Sequence, residues 1–147
     1  MTSNIQLYQG DCLEVMKNIP DKSVDLVLTD PPYGTTACKW DSVIDLELMW
    51  KELKRITKPN SAIVLFGSQP FSSVLVSSNL GMYKCSWLWE KERPSNFFAA
   101  KFVPLNNLED ILVFSCGGTN NGTKNPMNYN PQGLIEIDRV AKNSNTG

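Results

Sequence analysis

The apolar run Leu26-Val27-Leu28, closed by Thr29-Asp30-Pro31-Pro32-Tyr33-Gly34, constrains the fold more than any other stretch of the chain. Apolar residues through Leu28 suit a buried strand over Asp25–Thr29. Two successive prolines stop that strand, because neither carries the N–H that a ladder needs. A carboxylate, a stiff turn and an aromatic ring are thus delivered together at a strand's C-terminal end. In open α/β sheets, ligands bind at that edge. A plain strand-ending turn is the competing reading, since Asp-Pro dipeptides often start turns. The strand in front and the ring behind favour a site.

The chemistry that suits this constellation is methyl transfer to an exocyclic amine of a nucleic-acid base. Such an amine is a poor nucleophile, because its lone pair is delocalised into the ring. Two acceptors held against its hydrogens localise the pair and aim it at an electrophilic methyl group. Asp30 offers a carboxylate oxygen and Pro31 a carbonyl, and fixed acceptors of this kind favour the positive charge that develops on nitrogen. Tyr33 offers a face on which a base turned out of the duplex can stack.

With these residues in place, the chain resembles the S-adenosylmethionine-dependent DNA amino-methyltransferases, which carry Asp/Asn/Ser-Pro-Pro-Tyr/Phe. The likeness runs from Gly10-Asp11-Cys12 through Trp40-Asp41. It continues in Leu65-Phe66-Gly67-Ser68, Trp89-Glu90-Lys91 and Glu109-Asp110-Ile111-Leu112-Val113-Phe114, as in phage and bacterial members, and covers residues 4–115. The ordered set is far more specific than the tetrapeptide alone. The resemblance implies an α/β, Rossmann-like methyltransferase fold, a mostly parallel sheet with helices on both faces. It implies catalysis by Asp30, Pro31, Pro32 and Tyr33. Asp in the first place implies adenine-N6 as the target, with cytosine-N4 second. It also implies that Asp11, Asp30 and Pro31 approach the methyl donor, and that Tyr33, Lys91, Arg93 and Asn96 meet the nucleic acid.

A chain of 147 residues has room for one domain. No apolar run approaches a membrane span and no secretion signal is visible at Met1-Thr2-Ser3-Asn4, so a cytoplasmic location is expected. Cys12, Cys38, Cys85 and Cys116 are far apart and histidine is absent, so neither a disulfide framework nor a zinc site is expected. The net charge of −1 is not the footprint of a strongly basic nucleic-acid binder. Lys84, Lys91, Arg93, Lys101 and Lys124 can form a phosphate-facing patch, although scattered solvated lysines are the commoner arrangement.

In order, Ile5-Gln6-Leu7-Tyr8 alternates and reads as a strand, and Asp11 caps a helix from Cys12 to Asn18. Capping by itself explains Asp11, so its donor role stays open beside it. Gly34 to Asp41 is a polar loop and a candidate lid, with Trp40 covering the site or anchoring the loop. Asp45 to Thr57 has helical spacing, and Ala62–Phe66 reads as a buried parallel strand. Ser68 is the expected N-cap of the next helix. Cys85–Trp89 and Leu108–Phe114 are further strands, with Glu90–Asn96 irregular between them. Leu108 stands where many relatives carry histidine.

Residues 1–116 therefore read as the catalytic part of a methyltransferase domain. Residues 117–147 turn to Gly, Asn and Thr, and read as a mobile or partner-dependent tail that opens a target-recognition region. In the resembling family a late half carries a glycine-rich turn beneath the donor's amino-acid end, and no such turn is seen here. The chain is therefore expected to be the catalytic half of such an enzyme. DNA is its expected partner, with a second chain or copy completing the sheet. The competing class is an inactive remnant that binds DNA or an intact relative.

Overall fold

The computed structural model describes residues 4–36, 38–39 and 41–136. Its helices are α1 (Cys12–Met16), α2 (Leu46–Ile56) and α3 (Phe71–Ser78), with a 3-10 turn at Phe97–Ala99. Its strands are β1 (Val24–Thr29), β2 (Thr57–Gly67), β3 (Tyr83–Ser95) and β4 (Asn106–Phe114), and they form one sheet in the order β1-β2-β4-β3.

The α/β class is as expected, but the described sheet is mixed rather than mostly parallel. β1 runs parallel to β2, with α2 as the crossover that a parallel pair requires. β4 lies between β2 and β3 and runs antiparallel to both. The segment from Asn96 to Leu105 returns the chain without a crossover helix, and a return of that kind sets the two strands antiparallel.

Alternation decides where the core sits. Ile63 and Leu65 of β2 pair with Phe114 and Leu112 of β4, and all four are buried. Met49, Trp50 and Leu53 of α2 and Phe71 and Leu75 of α3 close over them in a single cluster, which Leu13 and Met16 of α1 join at its margin. Trp50 fixes α2 to α3 by donating its indole N–H to Ser78 Oγ at 2.7 Å. Arg55 fixes α2 to α1, donating to the Met16 and Ile19 carbonyls at 2.7 and 2.8 Å. Helices were expected on both faces; among the described residues they gather on this one. The other face carries Leu26 and Leu28, paired with Ala62 and Val64, and Trp87 and Trp89 further along. These two leucines and two tryptophans are about half exposed, from 49% at Trp89 to 62% at Leu28.

Several local expectations change. Residues 4–9 form no strand, and Ile5, Leu7 and Tyr8 are exposed. An alternating pattern makes a strand only where a neighbouring edge accepts its ladder bonds, and β1 pairs with β2 alone among the described residues. α3 begins after Pro70 without a side-chain cap, and Ser68 contributes its carbonyl, 3.1 Å from the Ser72 N–H, instead of its hydroxyl. Glu90–Ser95 belongs to β3, with an irregular register between Glu90 and Ser95.

The tail is partly tied down. The Gly118 N–H donates to the Asn125 carbonyl at 2.8 Å, and the Met127 N–H donates to the Gly118 carbonyl at 2.9 Å. Asn128 then donates to the Asn60 carbonyl at 2.9 Å, which holds the first part of the tail against the start of β2. Trp40 and residues 137–147 lie outside the described residues, so the expectations placed on them have no structural counterpart here. No helix among the described residues is long and apolar enough to cross a membrane.

Candidate active site

β1 ends at Thr29, and the next four residues deliver the expected constellation. Asp30, Pro31, Pro32 and Tyr33 line one cleft of about 260 Å³, completed by Thr35, Thr36 and Asp41. Pro31 is buried, Pro32 and Tyr33 are half-buried and Asp30 is exposed. The two proline rings restrict the backbone of the turn that carries Asp30 and the Pro31 carbonyl.

Tyr33 does more than offer a ring. It stacks on Phe71 of α3 with centroids 5.2 Å apart and planes 23° from parallel, so one of its faces is already taken. Its hydroxyl donates to Asp30 Oδ1 at 2.5 Å and stands 3.3 Å from Glu109 Oε1. Burial, then the bond to Asp30, then the two carboxylate charges push the phenol well above its ordinary range, so it remains a donor at physiological pH. Lys91 Nζ lies 3.5 Å from Glu109 Oε2, which sets a cation behind the second carboxylate.

The loop beyond Tyr33 is clamped by Asp41, which is buried. Its Oδ1 accepts the Gly34 N–H at 2.8 Å and its Oδ2 the Thr36 N–H at 2.6 Å. Hydrogen bonding to Thr36, with further backbone bonds to Gly34 and Thr36, outweighs burial and holds the carboxyl at about 2. Gly34 sits at φ +69°, and a Cβ there would stand 2.8 Å from Val43 Cγ2. Only glycine fits both the left-handed conformation and that approach.

The other expected site residues divide. Lys91 reaches the cleft's margin through Glu109. Arg93 and Asn96 lie away from it: Arg93 is exposed, and the exposed Asn96 lines a separate cleft with Ser68, Gln69 and Asn106. Asp11 caps α1, accepting the Leu13 and Glu14 N–H groups at 2.8 and 3.3 Å. Two members of the site were missed as functional residues, Glu109 and Asp41. Their partners lie 76 and 5–7 positions away, and neither distance leaves a periodic signal. No group of three or more potential metal ligands forms among the described residues.

No protein-family model matches the chain. Among curated proteins it is 30% identical over 147 aligned residues to the Type II methyltransferase M.HpaI of Haemophilus parainfluenzae, covering 92% of this chain and 42% of that one. Among solved structures, the PvuII DNA methyltransferase (cytosine-N4-specific) superposes with a TM-score of 0.60 at 17% identity, covering 78% of this chain and 50% of that one. A DNA modification methylase of Thermus thermophilus superposes with a TM-score of 0.57 at 26% identity, covering 78% and 54%. That protein is also solved in complex with S-adenosyl-L-methionine, with a TM-score of 0.53. The chain spans about half the length of these relatives or less. By sequence and by fold, the chain is similar to part of the Type II DNA methyltransferases.

Proposed function

We propose that the chain is the catalytic portion of a DNA methyltransferase that moves a methyl group from S-adenosylmethionine to the N6 amine of adenine. The observation that carries this reading is one cleft at the end of β1, lined by the Asp30 carboxylate, the Pro31–Pro32 turn and the half-buried Tyr33 ring. In the reading, Asp30 and the Pro31 carbonyl accept the amine's two N–H groups and localise its lone pair. The Tyr33 face not covered by Phe71 receives the extruded base. Lys91, Arg93 and Asn96 meet the surrounding nucleic acid, and a cytoplasmic location follows from that partner.

S-adenosylmethionine supplies, when bound, a methyl group on a positively charged sulfur. The residues present fit one side of it: Asp30 and Pro31 border the open cleft, and Asp11 presents an exposed carboxylate. They do not enclose it, because β1 is paired on one side alone among the described residues. A dissociation constant on the order of a millimolar, about −4 kcal/mol, is therefore expected by calorimetry on this chain.

Cytosine-N4 is the second reading. The cytosine-specific PvuII likeness, at 17% identity, speaks for the fold alone, while Asp30 in the first place keeps adenine ahead. Incubating adenine- and cytosine-containing duplexes with labelled donor, with a complementing partner supplied if needed, separates the two. In the same assay Asp30→Ala should lower transfer by roughly a hundredfold, the scale of losing one preorganised polar group. Tyr33→Phe should retain much of the activity, because the ring survives, whereas Tyr33→Ala should not. Unchanged turnover in Asp30→Ala would overturn the assignment, whereas no transfer to either duplex would favour an inactive, DNA-binding remnant.

A further inference from the structure

The cleft holds an imbalance that the reading above does not use. One hydroxyl hydrogen, on Tyr33, faces two carboxylates, Asp30 at 2.5 Å and Glu109 at 3.3 Å. A phenol donates one bond, so the two acceptors compete for it. While the bond goes to Asp30, one of that carboxylate's oxygens is engaged and an arriving amine must share it. Glu109 is the standing alternative. It comes from β4, its side chain is mostly buried, and Lys91 at 3.5 Å offsets its charge so that two carboxylates can face one hydroxyl.

We propose that Glu109 is a positioning residue, the alternate acceptor that takes the Tyr33 hydroxyl when Asp30 engages a substrate amine. The inference rests on the reading of Asp30 as the amine's acceptor and extends it to a residue in another strand. The hydroxyl moves less than a side-chain rotation, because its ring is held on Phe71 at 5.2 Å and both acceptors are within reach of the same oxygen. Asp30 thus stays ordered before substrate arrives, and has both oxygens free afterwards. Lys91 sets the bias: by drawing on Glu109 Oε2, it leaves the hydroxyl on Asp30 in the free protein. No covalent step is involved, only a change of hydrogen-bond acceptor.

The test reads the hydroxyl directly on the ligand-free chain, with tyrosine labelled at Cζ with carbon-13 and the Tyr33 resonance identified by its loss in Tyr33→Phe. In the folded protein, Glu109→Gln alone should move this resonance little. In an Asp30→Asn background, where the hydroxyl has passed to Glu109, the same substitution should move it at least about twofold further, the non-additivity expected of two acceptors sharing one donor. Lys91→Met, which leaves both carboxylates in place, should move the resonance opposite to Glu109→Gln, because it frees Glu109 to accept. Equal responses in the two backgrounds, or Lys91→Met and Glu109→Gln moving the resonance the same way, would overturn the proposal and leave Glu109 a structural tie between β4 and the turn. Because the readout needs neither donor nor DNA, it is decided separately from whether the chain transfers a methyl group.

Discussion

The two faces of the sheet are built from equally apolar residues and end in opposite conditions. On one, Ile63, Leu65 and Phe114 are completely buried beneath α2 and α3. On the other, Leu26, Leu28, Trp87 and Trp89 stand half-exposed, although Phe66 and Trp89 touch edge to face at 6.0 Å. Burial is therefore not written into the strands; it depends on what the sequence between them supplies. α2 supplies Met49, Trp50, Leu53 and Ile56 on one stripe, and the described residues supply nothing equivalent for the second face. Exposed large apolar side chains gathered on one face mark an interaction site or an aggregation liability. Leu26 and Leu28 also sit on β1, which is paired on one side alone among the described residues.

The sharpest way to break this comparison is to delete the same side chain on each face. Leu65→Ala removes a completely buried leucine, and the loss should be about 3 kcal/mol, within the span seen for buried leucines. Leu28→Ala, at a residue 62% exposed, should cost under about 1 kcal/mol. Urea unfolding of the two variants measures the difference. Equal losses would mean that the second face is covered in solution.

A smaller effect is expected on association. An apolar edge with free N–H and C=O groups recruits strands from other chains, so the protein should self-associate as its concentration rises. Leu26→Lys, on the open face beside that edge, should shift light scattering toward the monomer while leaving the unfolding midpoint nearly unchanged. A monodisperse wild-type monomer across the concentration range would show that the open surface recruits no second copy.

The same contrast explains how much could be read from sequence. β1, β2 and the Asp30–Tyr33 turn were legible because a strand's apolar run and two prolines act locally. The helical stripe of Leu46, Met49, Leu53 and Ile56 was legible for the same reason. The antiparallel placement of β4 between β2 and β3 was not, since strand order is a long-range property that alternation does not encode. Ile5 to Tyr8 failed for a related reason: its pattern asks for a partner that the pattern cannot supply. Glu109 reads as part of a strand, but its bond to Tyr33 spans 76 positions and only the fold brings the two together. The pairing of Lys91 with Glu109 was equally invisible, since the two residues lie on different strands.

The smallest effect separates the site's rim from both faces. Asp41 accepts bonds from Gly34 and Thr36, a few positions back, so its contribution should be local. Its carboxyl lies at about 2 in the folded protein against an ordinary 3.8, so the ionised form favours the folded loop. The sign follows from linkage: the contribution is complete above 3.8 and is lost as pH falls through about 2. The Gly34 and Thr36 amide protons should therefore move upfield in an NMR titration over that window, as each loses a charged acceptor. Asp41→Asn should place both near their acid-limit positions at every pH, with the core resonances of Leu65 and Phe114 unmoved. If those core resonances titrate with the two amides, the rim is coupled to the covered face, and the site cannot be treated as a unit apart from the sheet's two sides.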